Sequence, residues 1–275
     1  MTHKPKPAGS HSRTSSPSPR PGRNLGRAAG GRNAGRGAAR SGGERAERRT
    51  SKYEPAHIAD DIVKELHATA RPGKGEILVQ VFADAVAGFL AEDYAEAIRL
   101  GDQAKHIALR SIAVREFLGL AYYRAGRWKE AARELAAYKR ISGSTDQNPV
   151  LADCYRAMGR PERALELCGE LRFKDSEPPV YYECAIVSAG AFADMGEVDA
   201  AIALLERLDL RPEVAEQHHL RTWYALADLL ERRGRFTQAS EWFEAVAAVD
   251  PDLTDAPERV GLLRTMPPER RSGAN

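Results

Sequence analysis

One short pattern returns five times in this chain, and no other feature limits its fold as much. A small or turn-forming residue is followed, two places on, by an aromatic, a proline or another apolar residue, and the pattern closes on an alanine. EDYAEA ends at Ala97, GRWKEA at Ala131, GRPERA at Ala164, GEVDAA at Ala201 and GRFTQA at Ala239, so the alanines are 34, 33, 37 and 38 residues apart. Repetition at such a period marks an array in which each unit is one supersecondary element that buries its apolar face only by stacking on its neighbours. The periodicity inside each unit is helical. Before the first unit, ADDIVKELHATA sets Ile58, Ile62, Val63 and Leu66 on one stripe and stops at Arg71–Pro72.

Other positions fall into the same phase. The last unit reads Trp223-x2-Leu226-Ala227-x2-Leu230, then Gly234, Ala239, Phe243, Val246 and Pro251; the second reads Leu118-Gly119-x2-Tyr122, then Gly126, Ala131, Leu135 and Tyr138. With the extra three or four residues of the longer units assigned to loops, this resembles the tetratricopeptide repeat (TPR). The expectation is an all-α, TPR-like α-solenoid of about five helix-turn-helix units over residues 53–257. A disordered basic tail over residues 1–52 is expected before it, and a capping segment with a flexible C-terminal tail over residues 258–275 after it. Gly119 and Ala131 are the small positions where the two helices of one unit cross. Gly126, Gly159, Gly196 and Gly234 are expected in tight turns, where glycine accepts a left-handed backbone. Pro161 stands at the start of a second helix, where its missing N–H is harmless. The first unit departs from the pattern, with Glu92 in place of the turn glycine.

The strings VREFLGLAYYRAGRWKEAARELAAYKRISGS and PVLADCYRAMGRPERALELC resemble a family of actinobacterial TPR proteins that often carry an Arg/Gly-rich leader. The resemblance covers roughly residues 66–257. It implies the solenoid fold and a bacterial cytoplasmic setting, and it supplies no active site.

Charge divides the chain in two. Residues 1–52 hold 13 Lys and Arg against Glu44 and Glu47, which leaves 28 bases and 37 acids for residues 53–275. The tail has no aromatic residue and almost no large aliphatic one, too little to offset the entropy of ordering. Arg20, Arg23, Arg27, Arg32, Arg36 and Arg40 recur every three to five residues among Gly and Ala, a spacing suited to a flexible polycation following RNA phosphates, on ribosomes for example. A solubilising extension and an organelle import peptide are the other readings; the Pro and Gly density argues against the helix an import peptide needs. Three cysteines without a CxxC pair fit a reducing cytosol. No run of about 18 apolar residues suggests a membrane span, and no apolar segment follows the basic N-terminus as in a signal peptide.

No catalytic constellation, cofactor motif or metal-ligand spacing emerges, so the chain reads as non-enzymatic with no cofactor. His218 and His219 adjoin, but neighbouring helical side chains diverge by about 100° and are not an i, i+4 ligand pair. Asp60, Asp61 and Glu65 read as a solvated helix face, and Cys154 and Cys168 as small core hydrophobes. Function is expected on the inner face formed by the first helix of each unit. The repeat phase nominates Tyr123, Arg124, Asp153, Arg156, Tyr224, Asp228 and Glu231 as a groove for an extended peptide or a partner helix. TPR co-chaperones hold a C-terminal carboxylate with a Lys/Asn clamp; Phe82, Val86 and Phe117 stand at the early positions here, which argues against that role. Two readings follow: a scaffold binding protein through the solenoid and RNA through the tail, or a pure protein–protein adaptor whose tail is inert or autoinhibitory.

Overall fold

The computed structural model describes residues 52–266, and the described residues are helical without a strand. The first helix, α1 (Asp60–Thr69), precedes five antiparallel pairs: α2 (Gly75–Leu90) with α3 (Tyr94–Ile107), α4 (Ile112–Arg124) with α5 (Trp128–Ser142), α6 (Asn148–Ala157) with α7 (Pro161–Cys168), α8 (Pro178–Asp194) with α9 (Val198–Leu205), and α10 (Gln217–Arg232) with α11 (Phe236–Val249). The last helix, α12 (Ala256–Leu263), packs on α11. The expected tail over residues 1–52, with its six spaced arginines, lies outside the described residues except at Lys52.

The turn inside each pair has a single cause. Gly126, Gly159, Gly196 and Gly234 hold φ values of 72°, 72°, 85° and 83°, the left-handed region that only glycine enters without a steric cost. The first pair makes the same turn with Glu92 at φ 60°. A side chain in that region costs about 1–2 kcal/mol, so this departure from the pattern is paid in strain rather than in a different turn. Asp93 follows it and accepts the Glu96 amide at 3.2 Å, which caps α3.

Ala97, Ala131, Ala164, Ala201 and Ala239 are fully buried where each pair crosses. Gly119 is held to no side chain for a measurable reason: a Cβ there would lie 2.4 Å from Leu135 Cδ2 on α5. The extra residues of units 3 and 4 fall after α7, around a 3₁₀ turn at Phe173–Asp175, and between α9 and α10. Both second helices there have 8 residues, against 14 and 15 for α3 and α5. The core changes hands on α8: Cys184 and Ala191 join the cluster running back to Leu66, and Ala185 and Ala189 the one running on to Leu263.

Glu65 differs from its expected role. It lies half-buried and receives the Ile112 amide and the Ser111 hydroxyl, both at 2.8 Å, so α1 caps the N-terminus of α4. Asp60 and Asp61 are exposed. His218 and His219 also differ. Their ring centroids lie 3.9 Å apart with the planes tilted by 39°, and Tyr182 meets both rings edge to face; His219 Nδ1 turns back to accept the Glu216 amide at 3.1 Å in a capping box.

Candidate partner-binding face

Successive first helices, α2, α4, α6, α8 and α10, lie side by side; from α4 onward polar groups join each to the next, and at the first step Arg124 reaches α3 and the Phe89 ring of α2. Arg124 donates to Tyr94 Oη at 2.5 Å and lies over the Phe89 and Tyr94 rings at 5.9 and 5.2 Å. Gln147, at the start of α6, donates to Glu116 on α4 at 2.8 Å. Tyr123 donates to Asp153 at 2.6 Å, and Asp153 accepts Arg156 Nε at 3.0 Å. Arg156 continues to Asp194 on α8 at 3.6 Å. Gly190 makes room for it, since a Cβ there would lie 2.3 Å from Arg156 Nη1. Glu183 and Arg221 join α8 to α10 through contacts of 2.5 and 2.7 Å. Tyr224 donates to Asp255 at 2.5 Å, and Arg259 of α12 reaches Asp228 at 3.2 Å and Glu231 at 2.7 Å.

All seven residues nominated by the repeat phase therefore sit on these rungs. They come together in two groups, Tyr123 with Asp153 and Arg156, and Asp228 with Glu231 around Arg259, with Tyr224 beside the second through Phe243; Arg124 stands apart with its own partners. Burial followed by the neighbouring carboxylate pushes both the Tyr123 and Tyr224 phenols above their ordinary value. They remain hydrogen-bond donors at neutral pH. Phe82 and Phe117 are not groove residues: both are buried, and their rings meet edge to face at 5.4 Å between α2 and α4.

Sequence reasoning passed over Glu116, Leu120, Val150, Glu183, Arg221 and Arg259. For Leu120, Glu183 and Arg221 the signal was available by counting back from the crossing alanine. Eleven residues before it stand Val86, Leu120, Asp153, Gly190 and Asp228, and eighteen before it in units 4 and 5 stand Glu183 and Arg221. The inner face thus changes character along the array. In units 1 and 2 it is made largely of half-buried Val79, Val86, Ala113 and Leu120, and from unit 3 onward paired charges occupy it. The buried charge of units 1 and 2 lies elsewhere: Glu134 on α5, 1% exposed, meets Lys105 at 3.2 Å, Arg133 at 3.0 Å and Arg115.

The three thiols are buried, and burial pushes Cys154 up to about 12, far from the thiolate a nucleophile requires. No group of three His, Cys, Asp or Glu side chains among the described residues could hold a metal ion. No described helix is long and apolar enough to cross a membrane.

Residues 192–264 match the family model described as tetratricopeptide repeat. A TPR protein of Thermus thermophilus is 20% identical and superposes with a TM-score of 0.53, over 69% of this chain and 100% of that one. The fold is a TPR-like α-solenoid. Nearly identical TPR-like repeats from Podosopora anserina, in a protein described as a putative kinesin light chain, give 22% identity and a TM-score of 0.50 over the same shares. Identities this low carry the likeness of fold alone. No curated protein matches the chain in sequence. This TPR-like array places its variable chemistry on the first helices, at positions free of the packing demands that fix the alanines.

Proposed function

We propose that the protein is a non-enzymatic scaffold that holds a protein or peptide partner on the inner face of its TPR-like array. The observation that carries this reading is the half-buried apolar surface of α2 and α4, where Val86 and Leu120 replace the paired carboxylates of later units. Such a surface is suited to an extended segment or an amphipathic helix. The groove includes the rung residues Tyr123, Arg124, Asp153, Arg156, Tyr224, Asp228 and Glu231 as its polar border. The actinobacterial family with an Arg/Gly-rich leader, resembled by the second and third units, gives the setting: a bacterial cytoplasm.

The basic segment over residues 1–52 contributes RNA or ribosome contact. Ten arginines against three lysines favour bidentate phosphate contacts, and the excess of acids in residues 53–275 disfavours them. With about six phosphates neutralised, the log–log slope of RNA affinity against salt is roughly −4. Affinity purification from the native host, with nuclease and with residues 1–52 removed, tests both parts. A protein partner should survive both treatments and be lost in Val86→Ser with Leu120→Ser, while RNA should be recovered only with residues 1–52 present. A partner indifferent to the inner-face substitutions overturns the groove; RNA binding unchanged without the tail overturns the RNA contact and leaves a pure adaptor.

A further inference from the structure

We infer that the inner face of units 1 and 2 takes a peptide segment carrying one arginine or lysine among apolar residues, with that cation seated at Glu116. The inference rests on the groove reading above and deepens it by fixing the chemistry of the occupant.

Four carboxylates on the inner face of later units already have an arginine. Asp153 has Arg156 at 3.0 Å, Glu183 has Arg221 at 2.5 Å, Asp228 has Arg232 at 2.8 Å, and Glu231 has Arg259 at 2.7 Å. Glu116 differs. It is half-buried, its hydrogen-bond partner is the Gln147 amide at 2.8 Å, and no Lys or Arg among the described residues lies within ion-pair distance. Burial, then the charge of nearby Asp146, pushes this carboxyl above its ordinary range despite that hydrogen bond. A cation brought to it would favour the ionised carboxylate against both effects.

The surroundings select what carries the cation. Ala113 and Leu120 lie one turn before and after Glu116 on α4, and Val86 and Val150 stand on the neighbouring first helices α2 and α6; all four are half-buried. A segment docking here covers apolar surface and sets one charge against a partly desolvated carboxylate, where a charge-assisted hydrogen bond is stronger than in water. An acidic segment meets Glu116, Asp146 and a body with 37 acids against 28 bases. The occupant is therefore opposite in charge to the carboxylate tails that clamp-type TPR proteins hold.

The test uses the full chain and three labelled twelve-residue peptides of alternating leucine and serine, with arginine, methionine or glutamate at one central place, read by fluorescence anisotropy at moderate salt. The arginine peptide should bind at least tenfold tighter than either twin. Glu116→Gln, nearly isosteric, should erase that preference while leaving the methionine peptide within twofold. Leu120→Ser should weaken arginine and methionine peptides alike, with thermal melts verifying that each variant folds. Equal binding of the three peptides, or an arginine preference that survives Glu116→Gln, overturns the inference and leaves the groove standing. Binding unchanged by Leu120→Ser and by Val86→Ser overturns both, and no binding of the arginine peptide overturns the inference.

Discussion

Eleven residues before the crossing alanine, units 1 and 2 carry Val86 and Leu120, whereas units 3 and 5 carry Asp153 and Asp228. The backbone is helical at all four places, each on the first helix of its pair. What differs is how the first helices are joined. From α6 onward a carboxylate on one rung meets an arginine or tyrosine on the next, so the inner face is occupied by the protein's own pairs. Between α2 and α4 the joint is made by packing instead, with Phe82 against Phe117 and Phe89 at 5.9 Å from Phe117. The lesson is that the repeat fixes geometry at the alanine crossings and leaves inner positions free. One part of a single array can then be stitched shut by ion pairs while another keeps its apolar surface half-exposed.

The largest expected effect comes from removing a carboxylate in each region. Glu183→Ala leaves the Arg221 side chain, 9% exposed, without its counter-charge, and should cost about 3–5 kcal/mol in urea-induced unfolding. Glu116→Ala leaves no buried cation behind and should cost under about 1 kcal/mol. Equal costs would remove the distinction between the two regions.

The crossings, by contrast, should behave alike. Ala131→Leu in unit 2 and Ala164→Leu in unit 3 add methylenes at fully buried sites and should each destabilise by about 1–3 kcal/mol. Two variants that melt with the parent would mean that the repeat skeleton is not what these alanines support.

A smaller gain is expected in unit 1. Glu92→Gly removes left-handed strain and should stabilise by about 1 kcal/mol, offset slightly by the exposed Arg124 contact at 3.6 Å. Gly126→Glu, at φ 72°, should move stability the other way by a similar amount.

The last effect belongs to the C-terminal region alone. Burial, then the neighbouring His219, lowers the His218 pKa, with exposed Glu216 acting in the opposite sense. The folded protein thus keeps this imidazole neutral where the unfolded chain would protonate it. Stability from this site is complete above the ordinary imidazole value of about 6.5 and is lost as pH falls below it toward the folded value. Unfolding midpoints compared at pH 7.5 and 5.5 should fall more for the parent than for His218→Gln; identical falls would assign the pH dependence to other groups.

Much of the site was half legible. Counting from the alanines assigns Tyr123, Asp153, Tyr224 and Asp228 to the first helices of their units, because a helical period carries side-chain direction with it. It does not reveal that Asp153 is claimed by Tyr123 and Arg156, or that Arg259, beyond the last repeat alanine, reaches back to Asp228 and Glu231. Those pairings join residues 28 to 31 positions apart or combine local and inter-repeat contacts, and no local preference encodes them. Glu116 was missed for the opposite reason: in sequence it is one carboxylate among 39 acids, and only its half-buried place without a cation sets it apart.

The sequence by itself determined the array: five helix pairs, the glycine turns of four of them and the alanine crossings. These follow from local rules, since a left-handed turn selects glycine and a close crossing admits only a small side chain. The tertiary structure decided what each surface charge is for. Glu65 caps a helix 47 positions away at Ile112, and Glu92 makes the left-handed turn that glycine makes in the later pairs. Histidines expected to diverge bring their rings to 3.9 Å, with one of them accepting a backbone amide. Each outcome depends on which neighbours the stacked units bring within reach, and ion-pair and cap geometry is set by distances of a few ångströms that sequence spacing does not fix.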